Sequence, residues 1–204
     1  MNRLFVLLVL VIAGFSARAE TPAILVFGDS ISAGYGLARV EQGWVALLQT
    51  RLKEQEYGYQ VVNASVSGET TAGGLARLPR ALMLHQPKIV ILELGGNDGL
   101  RALPIAQMRA NLVRMIDLSA AAGAKVLLLG MRMPPNYGPD YTEQFRSCYI
   151  EVARDEKLPL VPFLLNEIAL FPNLMQADGV HPNELGQPKL LANVWPSLKP
   201  LLRR

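Results

Sequence analysis

The run Ile24-Leu25-Val26-Phe27-Gly28-Asp29-Ser30-Ile31-Ser32 decides the fold. Its first four residues are apolar without alternation, as in a strand buried on both faces of a parallel sheet. The strand stops at Gly28-Asp29-Ser30. That delivers a small hydroxyl to the carboxyl end of the sheet, where open α/β sheets hold their ligands. Ser30 is therefore a candidate nucleophile. Taken alone, the triplet reads first as a turn or helix cap, because Asp and Ser favour both. Ser30 gains a chemical meaning only if a base, an orienting acid and oxyanion donors occur elsewhere in the chain.

Outward from this strand, similar apolar runs recur at Gln60–Asn63, Ile89–Leu94, Lys125–Gly130 and Leu158–Phe163. Helical patterns separate them. Trp44, Leu47, Leu48 and Leu52 share a face. Thr71 to Leu84 reads as a helix broken or restarted at Pro79. Ile105 to Ala122 ends at Gly123, a good residue just past a helix end. Tyr141 to Lys157 and Glu184 to Leu202 follow, the last with Pro188 in or near its first turn. Repeated β-α units predict one α/β domain over residues 20–204, a three-layer α/β/α sandwich on a five-stranded parallel sheet.

Residues 1–19 stand outside that pattern. Arg3, the apolar stretch Leu4 to Phe15 and the small-x-small triplet Ala17-Arg18-Ala19 make a secretory signal peptide, cleaved after Ala19. The periplasm is the expected destination, with no membrane span in the mature protein. The formal net charge is +3, from 20 basic and 17 acidic residues. Arg3 and Arg18 belong to the leader, so the remainder is nearly balanced and offers no basic footprint for nucleic acid. Cys148 is the one cysteine, so no intrachain disulfide can form, and its apolar neighbours mark it as a small core residue.

Three further strand-end stretches are glycine-containing and polar: Asn63-Ala64-Ser65-Val66-Ser67-Gly68-Glu69-Thr70, Gly95-Gly96-Asn97-Asp98-Gly99 and Asp178-Gly179-Val180-His181-Pro182. In a parallel sheet they share one edge with Ser30. A serine hydroxyl needs a neighbouring base. Of the two histidines, His85 precedes a strand on the opposite edge and reads as a helix-end residue. His181 follows Asp178 by three, so one turn puts both side chains on one face. Asp178 can then hold one ring nitrogen while the other meets Ser30, in the logic of a catalytic triad. Acyl hydrolysis also needs oxyanion donors. Gly68 exposes a backbone N–H, Asn97 carries an amide, and Ser30 has its own N–H. The competing readings are an Asx turn at Asp178 and a left-handed turn residue at Asn97. Asp98 reads as a turn or cap residue.

In family order, Gly28-Asp29-Ser30, Gly68, Gly95-Gly96-Asn97-Asp98 and Asp178-Gly179-Val180-His181 resemble the four sequence blocks of the SGNH (GDSL) hydrolases. The resemblance implies a flavodoxin-like fold. It implies Ser30 as nucleophile, His181 as base, Asp178 as its orienting partner, and Ser30, Gly68 and Asn97 as the oxyanion hole. It further implies that Gly99, Leu100, Arg101, Ala102, Leu103 and Pro104 form a mobile substrate-binding loop. The implied activity is hydrolysis of aryl and alkyl esters, acyl-CoA and lysophospholipid, without metal or cofactor, by a monomer acting on a small-molecule or lipid acyl ester. Two alternatives are a carbohydrate or peptidoglycan O-acetylesterase and a periplasmic solute-binding module. The binding module would leave Asp178, His181 and Asn97 without a role.

Overall fold

The structure is a computed structural model, and it describes residues 21–203. The expected leader and its cleavage site after Ala19 lie outside the described residues. In chain order the elements are β1 (Ala23–Gly28), α1 (Ser30–Ala33), α2 (Trp44–Glu54), β2 (Gln60–Asn63), α3 (Thr71–His85) and β3 (Ile89–Glu93). Then come α4 (Gly96–Leu100), α5 (Ile105–Ala121), β4 (Lys125–Leu129), α6 (Pro139–Asp155), β5 (Leu160–Val161) and α7 (Gln187–Leu198).

All strand pairs are parallel, in the order β2-β1-β3-β4-β5. The order reverses at β1, so a crevice opens between the carboxyl ends of β1 and β3, where such sheets bind ligands. Helices α3, α5 and α6 pack in succession, and α2 packs against α7. Right-handed crossovers put these two groups on opposite faces. The expected three-layer sandwich is thus present.

Its core is the set of positions the patterns pick out. Ile24 to Phe27 and Ile89 to Leu92 are almost wholly inaccessible to solvent, as are Trp44, Leu48 and Leu52 on one face of α2. Each such side chain stabilises the fold by about 1.5–3 kcal/mol relative to leaving it in water. The first N–H of α2, on Trp44, has no partner within its helix; the buried Gln187 side chain at the start of α7 accepts it at 3.0 Å. That bond ties the two helices of one layer end to end.

Several boundaries differ from the sequence reading, each for a local reason. Helix α3 runs unbroken through Pro79. Pro79 is on the exposed face, where the carbonyl it frees can meet water, while Leu78, Ala81 and Leu82 hold the buried face. Strand β5 is two residues rather than six, because Pro159 and Pro162 flank it and lack the N–H a ladder needs. Edge strand β2 is only partly covered. The C-terminal helix starts at Gln187, with a turn through Asn183 before it and a short 3₁₀ turn, Lys199–Leu201, after it. Helix α6 begins two residues early, at Pro139. Helix α5 does stop where Gly123 takes a left-handed φ of 79°.

Candidate active site

Ser30 is the first residue of α1, directly after β1. Asp29 caps that short helix, its Oδ1 accepting the Ile31 N–H at 3.0 Å. The turn reading of Gly-Asp-Ser is therefore present, and it leaves the next residue free to offer its hydroxyl. The cap fixes the backbone, and the next residue carries the hydroxyl.

Asp178 and His181 lie on a hairpin-like loop closed by the Met175–Pro182 bridge and by Gln176 N–H donating to the His181 carbonyl at 2.7 Å. Asp178 forms the Asx turn with Oδ1, which accepts from the Val180 and His181 amides at 2.9 and 3.0 Å. Its Oδ2 meets His181 Nδ1 at 2.7 Å. His181 Nε2 then lies 2.8 Å from Ser30 Oγ. Burial opposes the charge on Asp178, but the bonds from the His181 amide and ring and the Val180 amide outweigh it. They hold the carboxyl down at about 2, so it stays ionised beside the ring.

Two contacts that the sequence reading did not include steady this loop. Gln176 Nε2 donates to the Tyr35 carbonyl at 2.8 Å and to the Pro182 carbonyl at 3.1 Å. The Tyr35 ring sits 4.7 Å from the His181 ring, centroid to centroid. No local pattern in the sequence signals either contact.

The other strand ends converge on the same crevice. Gly68 has φ +78°, a left-handed conformation that glycine adopts freely. Among the described residues, neither its N–H nor that of Ser30 has an acceptor within the chain. Asn97 is in helical turn α4, not in a left-handed conformation, which removes the competing turn-residue reading. Its Nδ2 donates to Asp29 Oδ2 at 3.1 Å. One amide hydrogen is thereby used, and a second remains.

Asp98 caps a different helix from its own. Its carboxylate accepts the Thr71 N–H at 2.8 Å and the Thr71 hydroxyl at 2.5 Å, at the start of α3. Asn111 of α5 donates to that hydroxyl in turn. The loop carrying Gly68 is thus locked to the turn carrying Asn97. Arg101 adds a bond from Nη2 to the Gly68 carbonyl at 2.9 Å.

Below Ser30 lies a second carboxylate, missed in the sequence. Glu93 ends β3, opposite Gly28 in register, and is wholly buried. Its Oε2 accepts from the Asp29 N–H at 3.2 Å and the Ser32 hydroxyl at 2.7 Å. Oε1 has no partner among the described residues. Burial, with the Asp29 charge nearby, pushes the Glu93 carboxyl well above its ordinary range. The available signal was one acid in an otherwise apolar strand run, Ile89 to Leu94.

The segment Gly99–Pro104 is partly a helical turn rather than a free loop. Gly99 is buried, and the Gly99 and Leu100 carbonyls accept from the Tyr141 and Tyr137 hydroxyls. Arg101, Ala102, Leu103 and Pro104 follow as exposed turn residues, and Leu100 alone of the six borders the cavity.

That cavity has a volume of about 660 Å³ and is bordered by Ser30, Gly68, Asn97 and His181. Most of its remaining lining is apolar, including Met131, Met133, Phe163, Leu165, Leu170 and Met175, with Arg132 among them and its guanidinium over the Phe163 ring. His85, at the last turn of α3, lies on the opposite edge of the sheet as expected. Cys148 is buried, and burial pushes its thiol up to about 11. Among the described residues no cluster of acids, histidines or cysteines could hold a metal, and no helix is long and apolar enough to cross a membrane.

The chain is 56% identical to esterase TesA of Pseudomonas aeruginosa over 195 residues, 96% of each chain. It is 42% identical to thioesterase 1/protease 1/lysophospholipase L1 of Escherichia coli K12, over 96% of this chain and 91% of that one. A crystal structure of TesA superposes with a TM-score of 0.86 at 57% identity, covering 88% of this chain and 99% of that one. The relatives are esterases and thioesterases, and so is the activity class of this chain. The model of the GDSL-like lipase/acylhydrolase family matches residues 26–188, and with a five-stranded sheet presenting Ser30, Gly68, Asn97 and His181 to one cavity, the chain belongs to that family.

Proposed function

We propose that the chain hydrolyses carboxylic esters and thioesters through an acyl-enzyme on Ser30, with His181 as base and Asp178 as its orienting partner. The observation that carries this is the relay of 2.7 Å from Asp178 to His181 and 2.8 Å from His181 to Ser30, opening into an apolar cavity. His181 Nε2 takes the Ser30 proton as Oγ attacks the acyl carbon. The oxyanion is met by the N–H groups of Ser30 and Gly68 and the Asn97 amide. The alcohol or thiol leaves with the proton from His181. Water then repeats the sequence, releasing the acid and restoring Ser30.

The cavity supports an acyl chain longer than acetyl, because its lining beyond Ser30 is mostly methionine, leucine, proline and phenylalanine, Arg132 being the charged exception. Leu100, with the rest of the 99–104 segment behind it, is assigned to the acyl-binding edge. Every group of the site comes from one chain, which supports action as a monomer. Residues 1–19 are assigned as the signal peptide, with export to the periplasm. A turnover series on p-nitrophenyl esters of rising chain length, acyl-CoA, lysophospholipid and an acetylated polysaccharide tests the reading. Rates should rise from acetate to medium chains. Turnover confined to acetyl groups would favour an O-acetylesterase instead.

A further inference from the structure

We propose that Asp29 is a positioning residue of the oxyanion hole: its ionised carboxylate dictates which atom of the Asn97 amide faces the cavity, so protonating Asp29 withdraws the Asn97 donor while leaving the triad in place. The proposal rests on the reading of Asn97 as an oxyanion donor.

The geometry is specific. Asp29 is 2% exposed, and each of its two oxygens has one donor. Oδ1 accepts the Ile31 N–H, and Oδ2 accepts Asn97 Nδ2. An ionised carboxylate can only accept, so the amide must turn its NH₂ toward Asp29. That leaves the second hydrogen of the same nitrogen for the substrate oxyanion. A protonated Asp29 can donate from Oδ2. The amide then gains by turning its oxygen inward, and a lone pair replaces the donor at the oxyanion position. Such a lone pair repels the charge that develops there.

Asp29 is also poised to change state. Burial disfavours its charge, while the Ile31 amide, the positive charge available on His181 and the Asn97 amide favour it, and the balance leaves the carboxyl pushed up to about 6. The groups around it are Glu93 on β3, which holds the Asp29 N–H, His181 on its loop, Asn97 on α4 and Tyr149 on α6. The Glu93 side chain is a further, smaller contribution that favours the Asp29 charge.

Asp29→Asn is the discriminating substitution. Its Oδ1 must take the Ile31 N–H, which leaves an NH₂ where Oδ2 stood. That donor turns Asn97 the wrong way round. Steady-state and single-turnover kinetics on a p-nitrophenyl ester are measured for wild type, Asp29→Asn, Asn97→Ala and the double variant. Asp29→Asn should lower kcat by about 10²–10³ with little change in KM. In the Asn97→Ala background it should change kcat less than about threefold, because the two residues act as one unit. The acid limb of kcat should fall with two protons in wild type and with one in Asn97→Ala. That comparison needs no change at position 29, so it decides the matter even if Asp29→Asn folds poorly.

An equal loss from Asp29→Asn in both backgrounds, or a two-proton limb persisting in Asn97→Ala, would overturn the proposal. A slow Asn97→Ala beside a fully active Asp29→Asn would overturn it alone. Full speed in Asn97→Ala would overturn the oxyanion reading of Asn97 and this proposal with it.

Discussion

Asp178 grips His181 twice, its Oδ1 on the backbone N–H at 3.0 Å and its Oδ2 on ring Nδ1 at 2.7 Å. One oxygen builds the turn and the other aims the ring. The two roles are separable. Asp178→Asn keeps an oxygen for the turn and puts an NH₂ against Nδ1, which forces the wrong tautomer. It should lower kcat by about 10⁴ with almost no change in Tm. Asp178→Ala should lose activity similarly and also lose about 1 kcal/mol, as the turn amides lose their acceptor. Equal Tm values for the two variants would show that the turn does not depend on Asp178.

Ser30 is the hydroxyl in contact with the base, so a fluorophosphonate probe should label it alone. Ser30→Ala should abolish labelling and leave the melting curve unchanged, because Asp29 rather than Ser30 caps α1. Peptide mapping of the labelled protein reads the outcome directly. Adduct on any other serine would mean that the 2.8 Å contact to His181 does not mark the nucleophile.

Asn97 occupies a right-handed helical turn, so the proposed oxyanion role falls to its side chain and not to a special backbone conformation. Asn97→Gly should therefore be as slow as Asn97→Ala, each down about 10²–10³ in kcat. Asn97→Asp should be slower still, since it places a carboxylate against Asp29. Rates near wild type for Asn97→Gly would leave only the Ser30 and Gly68 amides at the oxyanion.

The buried Asp29 also makes folding depend on pH. Its carboxyl is raised from 3.8 to about 6, so its proton is held more tightly in the folded chain than in the unfolded one. Its contribution to stability is greatest below about pH 4 and declines as pH rises through about 6. Glu93, whose carboxyl burial also pushes upward, acts with the same sign. Asp178 has the opposite sign, losing its contribution as pH falls toward about 2, but it is well exposed and solvent screens it. Asp29→Asn should therefore gain on wild type by on the order of 2–3 kcal/mol between about pH 4 and about pH 7. Urea titrations at the two pH values check this. A constant difference would mean that Asp29 titrates like an exposed acid.

The legible parts of the molecule are those written in local pattern. Ile24 to Phe27 and Ile89 to Leu92 are continuous apolar runs, and a parallel strand covered on both faces has no other signature. Ser30, Gly68 and Asn97 could be gathered because parallel strands deliver their ends to one edge, whereas Asp178 and His181, on a loop well after β5, were legible only through their three-residue spacing. Glu93 and the second bond of Asp29 were not legible, since their meaning lies in a cross-strand neighbour. Glu93 is informative only once Gly28 is known to lie opposite it. The brevity of β5 was readable in Pro159 and Pro162, whereas the continuity of α3 was not. Whether Pro79 breaks a helix depends on which face meets water. The cavity wall is gathered from segments after β4 and β5 and has no period in the sequence.

Ser30 and His181 are 151 residues apart, one beside the first strand and the other before the last helix. On the proposed mechanism, the hydroxyl becomes a nucleophile only after almost the entire domain has closed around the sheet. A chain still emerging from the ribosome, or any open form, therefore carries an inert serine. Catalytic rate becomes a direct count of completed molecules, and a truncation before Asp178 should yield protein without turnover, however well its strands pair.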